Sequence, residues 1–194
     1  MAADIARKLA TYADVLSAPP NMIAQIVNGT LELHPRPASK HTRVASRLGA
    51  KLDGPFDDGR DGPGGWILLD EPELHLGANV LVPDLAGWRV ERMPILPDAP
   101  AFFVRPDWVC EVLSPSTSRL DRGPKLEIYA EHDVPYVWLI DPSARTLEVY
   151  RLENKRWMRL AAHGGDDVVR AEPFDAVPLE LAALWKNLPP EPER

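Results

Sequence analysis

Two carboxylates stand inside otherwise apolar runs of this 194-residue chain: Asp84 in NVLVPDLAGW (79–88) and Glu111 in DWVCEVL (107–113). A lone acid is rarely buried without a partner, because its charge is expensive to remove from water. With period-two alternation, a strand through 80–88 puts Asp84 on one face with Val80, Val82, Ala86 and Trp88. A strand through 107–113 puts Glu111 on one face with Asp107, Val109 and Leu113. If the two strands are neighbours, the acids converge and their repulsion must be relieved by a proton or a cation. A hard divalent cation suits such a pair: Mg2+ prefers oxygen ligands, keeps several waters and takes only one or two protein carboxylates. In the plainer alternative Asp84 caps the turn after Pro83 and Glu111 pairs with an arginine. Spacing alone leaves both open.

Other chemistries have less to stand on. The five histidines (34, 41, 75, 132 and 163) are too scattered for a local zinc motif, and the single Cys110 supplies no pair. His41 reads as a helix-surface residue, with the alternative that it faces the site from the basic helix, and Cys110 reads as a small buried thiol. The glycine-rich GRDGPGG (59–65) lacks the Lys-Ser/Thr of a phosphate loop and reads as a flexible connection. The serines of SPSTS (114–118) follow the acid run without a G-x-S-x-G turn, so Ser114 and Ser116 read as partners of backbone groups at the strand end, or as hydrogen-bonding groups near the site.

The elements that must carry these residues alternate along the chain. TYADVLSA (11–18) reads as a short helix stopped by Pro19 and Pro20, and MIAQIVNGTLELH (22–34) as two strands joined at Asn28-Gly29, a strong hairpin signal. A helix is expected over about 38–53. Between Leu33 and Asp53 there is no acidic residue, while Lys40, Arg43, Arg47 and Lys51 recur at helical steps beside an apolar face of Ala45, Leu48 and Leu52. That stripe is either a solvated helix face or a rail for phosphates. WILLD (66–70), YVWLID (136–141), TLEVYRL (146–152) and RWMRLA (156–161) read as strands, RGPKLEIYAEHD (122–133) as a helix, and PLELAALW (178–185) as a C-terminal helix.

Composition sets the frame. With 45% hydrophobic and 26% charged residues, the chain has ordinary globular proportions, and one domain over 1–186 with a mobile tail at 187–194 is expected. A net charge of −7 argues against a globally basic nucleic-acid binder but not against a local basic face. No membrane span or secretion signal is visible, and with one cysteine the expectation is a cytoplasmic protein that makes no contact with a membrane.

VPDLAGWR (82–89) and PDWVCEVLSPSTSRLDRGPKLEIYAEHDVPYVWLIDPSARTLEVYRL (106–152), with AQIVNGTLELHPRP (24–37) in weaker support, resemble the Uma-two family of endonucleases. That family is a bacterial branch of the PD-(D/E)xK, or restriction-endonuclease-like, superfamily. The resemblance implies an α/β fold with a mixed central β-sheet flanked by helices. It also implies a metal-dependent endonuclease that hydrolyses phosphodiester bonds of nucleic acid, with DNA the expected substrate. By the resemblance Asp84 and Glu111 are the metal-binding acids, with Mg2+ as cofactor and Mn2+ as a substitute, and Lys125 is the basic catalytic residue. Gln25, Asp121 and Ser114 take supporting places, and the stripe Lys40, Arg43, Arg47 and Lys51 would hold the nucleic-acid backbone. A homodimer would suit cutting both strands of a duplex.

The chain departs from the family pattern in two places. The superfamily's usual lysine stands two residues after the acid, where this chain has Leu113; Lys125, after Pro124 in a helix's first turn, would project back toward the sheet. Family members resemble AEIIDGE where this chain reads AQIVNGT, so Gln25 offers a dipolar oxygen in place of a charge. These departures favour an alternative, a catalytically inactive nuclease-fold module that binds nucleic acid or protein; the exposed-looking hairpins after 134 favour a third reading, a structural oligomerisation domain. The joint presence of Asp84, Glu111 and Lys125 favours the enzyme.

Overall fold

The computed structural model describes residues 9–189, so the expected C-terminal tail lies, from residue 190 on, outside the described residues. Helix α1 (Tyr12–Leu16) starts at Thr11, whose backbone N–H and hydroxyl both donate to Asp14 at 2.7 Å. Strands β1 (Met22–Val27) and β2 (Thr30–Pro35) form the expected antiparallel hairpin. Asn28 and Gly29 turn it with φ of 49° and 73°, a left-handed pair that asparagine and glycine tolerate best.

Helix α2 (Ser39–Leu52) buries His41, Val44, Leu48 and Leu52 on one face. It runs into a π-helical turn over Asp53–Asp57 that buries Phe56. The glycine-rich segment expected as a flexible connection instead folds back on that turn. Arg60 N–H donates to Gly54 O at 2.7 Å and Gly64 N–H to Pro55 O at 2.9 Å. A Cβ on Gly62 would meet Pro55 O at 2.4 Å, so glycine is required by close backbone approach.

Strands β3 (Trp66–Asp70), β4 (Leu74–Leu76), β5 (Asn79–Leu81), β6 (Leu85–Arg89) and β7 (Trp108–Val112) follow. The single strand expected through 80–88 is broken. Residues 82–84 leave strand geometry, β5 joins a four-stranded sheet of order β2-β1-β5-β4, and β6 joins the central sheet. Pro83 explains the break, since it carries no N–H for a ladder.

After β7 come α3 (Ser118–Leu120), a π-helical turn over Asp121–Lys125 and α4 (Leu126–Glu131) as one helical run. Pro124 therefore lies inside the run and not in a first turn as expected; the widened π turn accommodates the missing donor. This run is the crossover to β8 (Tyr136–Asp141), which pairs parallel to β7. Strands β9 (Thr146–Glu153) and β10 (Arg156–Gly164) complete a six-stranded central sheet of order β10-β9-β8-β7-β6-β3, in which only the β7/β8 pair is parallel. The C-terminal helix expected over 178–185 is shorter. Leu179–Glu180 (β12) pairs with Val168–Val169 (β11), and helix α5 spans Ala182–Trp185.

The central sheet carries an apolar cluster on each face. One packs Val44, Leu48 and Leu52 of α2 and Leu184 and Trp185 of α5 against Trp108, Cys110, Val112 and Trp138. The other packs Ile128 and Tyr129 of α4, with Leu74, Leu76 and Leu81 from β4 and β5, against Val109, Leu113, Val137 and Leu139. Among the described residues no helix is long and apolar enough to cross a membrane.

Candidate active site

Strand register brings the two acids together. β6 pairs antiparallel to β7 with Leu85 opposite Cys110, so one step beyond that pair Asp84 stands opposite Glu111. Asp84, half-buried in the coil between β5 and β6, is fixed by its own contacts: Val112 N–H donates to Oδ2 at 2.6 Å, and His41 Nε2 lies 3.2 Å from Oδ1. Gln25, on β1 and 4% exposed, accepts Val82 N–H at 2.9 Å and so pins the coil two residues before Asp84. A neutral amide performs that task without adding charge beside Asp84.

Glu111 is 2% exposed, and its partner is not an arginine. Lys125 Nζ donates to Oε2 at 2.7 Å and Tyr129 Oη to Oε1 at 2.6 Å. Lys125, also 2% exposed, donates in addition to Asp121 at 3.1 Å. Asp121, Lys125 and Tyr129 recur every four residues, so the helical run presents an acid, a base and a phenol to one strand carboxylate.

The electrostatics follow from this crowding. Burial, with Asp121 and Asp84 adding repulsion, pushes the Glu111 carboxyl up to about 8 despite the Lys125 charge beside it. Burial alone would lower Lys125, but Glu111 and Asp121 outweigh it and raise its ammonium. Burial likewise works against a charged His41, and Asp84 overcomes it to raise the imidazole. The Tyr129 hydroxyl is pushed well above its ordinary value by burial and by Glu111.

These groups, Tyr129 excepted, border one cavity of about 290 Å3, lined by Gln25, His41, Asp84, Glu111, Asp121, Lys125 and the turn Ser114–Thr117. Ser114 Oγ lies 2.9 Å from Thr117 Oγ1 and 3.3 Å from Thr117 N, tying that turn together. The structure thus gathers Asp84, Glu111, Lys125, Gln25, Asp121 and Ser114 in one place. It does not bring the basic stripe there. Lys40, Arg43, Arg47 and Lys51 share one flank of α2, but none lines the cavity, and the Arg47 Nε is buried. The arginine at the cavity wall is Arg36, ion-paired to Glu71 at 3.6 Å.

Two members of the cluster stand outside the site set read from the sequence, a place for His41 there being only the lesser of two readings. His41, read there as a surface residue, is 9% exposed and turned to Asp84. Its helical phase with Val44, Leu48 and Leu52 was the available signal, masked by the more conspicuous cations beside it. Tyr129 was legible as the third member of the four-residue series 121, 125, 129.

The mixed sheet, its crossover helix and the carboxylate pair at the end of β6 and β7 define an α/β protein of restriction-endonuclease-like fold. Residues 9–183 match the family described as "Uma2: Putative restriction endonuclease", and the chain belongs to that family. Among solved structures it is similar to a protein described as "a putative nuclease belonging to DUF820" from Anabaena variabilis ATCC 29413. That match has a TM-score of 0.73 and 23% sequence identity and covers 91% of this chain and 97% of that one. At this identity the likeness is one of fold. No curated protein matches the chain.

Proposed function

We propose that this chain is a metal-dependent endonuclease that hydrolyses phosphodiester bonds of DNA, with Asp84, Glu111 and Lys125 as its catalytic residues. The observation that carries this reading is their convergence on one cavity, two carboxylates and one ammonium within a mixed sheet of nuclease type.

The residues present fit a small hard cation. Asp84, Glu111 and Asp121 crowd round one ammonium, Lys125, and burial first, then repulsion from Asp121 and Asp84, raises the Glu111 carboxyl, so a cation that replaces its proton relieves both. Among the described residues no group of three His, Cys, Asp or Glu side chains forms a metal cage. A pair of carboxylates completed by waters is the arrangement Mg2+ commonly takes, and Mn2+ suits the same ligands. Asp84 and Glu111 would hold the ion; when bound it supplies Lewis acidity, polarising a phosphoryl oxygen and lowering the pKa of water.

The chain's own groups do the rest. Lys125, fixed by Glu111 and Asp121, places a positive charge beside the acids, where it stabilises negative charge developing on the phosphate. Tyr129 holds Glu111, and Gln25 holds the Asp84 coil. Leu113 stands where the superfamily usually has its lysine and is buried in the apolar cluster, so Lys125 from the crossover helix takes that task. The stripe Lys40, Arg43, Arg47 and Lys51, off the cavity, would hold backbone phosphates on either side of the cut, with salt-dependent affinity.

The test is cleavage of supercoiled plasmid and single-stranded DNA at low salt with Mg2+ or Mn2+ against EDTA, using wild type and Asp84→Asn prepared identically. Metal-dependent cutting that disappears in the variant is the expected result. Cutting that survives the substitution overturns the assignment of Asp84. No cutting by wild type, with no rise in melting temperature on adding metal, overturns the enzyme in favour of a binding module.

A further inference from the structure

We infer that His41 is a positioning residue for the cation site, holding the Asp84 carboxylate in the orientation that lets it share an ion with Glu111; this rests on the metal-site reading above. Asp84 belongs to no strand; Glu71 N–H holds its backbone carbonyl at 3.0 Å, but that leaves the carboxylate to be fixed by other contacts. A backbone amide and an ion-pairing imidazole provide them. The Val112 amide on Oδ2 comes from the strand that also carries Glu111, and His41 Nε2 on Oδ1 comes from α2, on a separate element. Together they engage both oxygens from different directions and leave one lone pair on each for the cavity.

The burial of His41 carries a cost. The residue is 9% exposed, and its Nδ1 is buried with no hydrogen-bond partner. An unpaired buried ring nitrogen is a penalty that a leucine in the same helical phase as Val44, Leu48 and Leu52 would avoid. What leucine could not do is pair with Asp84. The ring is therefore retained for its other nitrogen, in the manner of outer groups that orient a metal-ligating carboxylate.

The experiment is a calorimetric titration of the whole chain with Mn2+, comparing wild type, His41→Leu, His41→Gln and His41→Asn, with melting temperature recorded for each without metal. A glutamine amide reaches the position of Nε2, whereas an asparagine amide stops near that of Nδ1. The expected result is that His41→Leu keeps or raises the melting temperature yet weakens Mn2+ binding by about 10- to 100-fold, with His41→Gln retaining most of the affinity and His41→Asn losing it. The Gln and Asn variants keep a polar side chain throughout, so they decide the matter even if the leucine variant does not fold. Mn2+ binding equal to wild type in His41→Asn overturns the inference and leaves the metal site standing. Absence of Mn2+ binding by wild type overturns the metal site and the inference with it.

Discussion

The two faces of β7 are buried equally and filled oppositely. Trp108, Cys110 and Val112 face an aromatic cluster in which Phe174 lies 4.7 Å from Trp66, 4.8 Å from Phe56 and 4.9 Å from Trp108 between ring centroids. Val109, Glu111 and Leu113 face the other way, and there the middle residue meets Lys125 and Tyr129. Apolar and aromatic packing stabilises in proportion to the surface it removes from water. A buried ion pair of good geometry does little better than break even against its desolvation. One face of the strand thus supports the fold, and the other holds charge that the fold must tolerate.

That contrast is broken most severely by Phe174→Ala. The substitution should remove about 3–5 kcal/mol of stability, measured by urea unfolding, while the fraction that stays folded binds Mn2+ as wild type does. Equal loss of metal affinity in the folded fraction would mean that the two faces are not separable.

Lys125→Met attacks the other face. Above about pH 8, where Glu111 is ionised, stranding it should destabilise by about 3 kcal/mol; below that the carboxyl keeps its proton and the loss is smaller. DNA cleavage should vanish along with the pair. A variant as stable as wild type would show that the pair contributes nothing net to the fold.

The pH dependence has a definite sign. In the folded chain the Glu111 carboxyl is pushed up to about 8 from its usual 4.5. Below 4.5 both folded and unfolded chains hold the proton, and Glu111 adds no slope. Between 4.5 and about 8 the unfolded chain releases the proton and the folded chain keeps it, so the metal-free protein loses stability as pH rises; above that no further loss comes from this group. Glu111→Gln should flatten the slope in that window, read as melting temperature against pH in EDTA. An unchanged slope would assign it to other groups.

Tyr129→Phe should have the smallest effect, about 1–2 kcal/mol from one hydrogen bond to a carboxyl. Its cleavage should persist at a reduced rate, because Lys125 still holds the other oxygen of Glu111. Complete loss of cutting with unchanged stability would move Tyr129 from support into the chemistry.

Much of this was legible because it is local. Alternation placed Glu111 opposite in phase to Cys110, Asn28-Gly29 marked the hairpin, and the segment from Glu111 to Lys125 carried the family resemblance. Sequence patterning, by contrast, treated 80–88 as one strand, although Pro83 divides it between two sheets. It also took the glycine-rich segment for a flexible connection, because the close approach of Gly62 to Pro55 is invisible until the chain folds back. His41 was misread for a related reason. Helical phase says which face a residue shares, but not whether that face meets solvent, core or an acid.

By itself, then, the sequence determined most of the element types, the two acids on apolar faces and the lysine in the following helix, since each depends on period, turn chemistry or a contiguous motif. Only the tertiary structure decided that Gln25 holds the coil before Asp84 from 57 residues away, that His41 reaches the carboxylate from α2, and that the basic stripe lies off the cavity. These arrangements depend on how separate elements pack. Packing is set by the summed burial of many distant side chains, which no local pattern encodes.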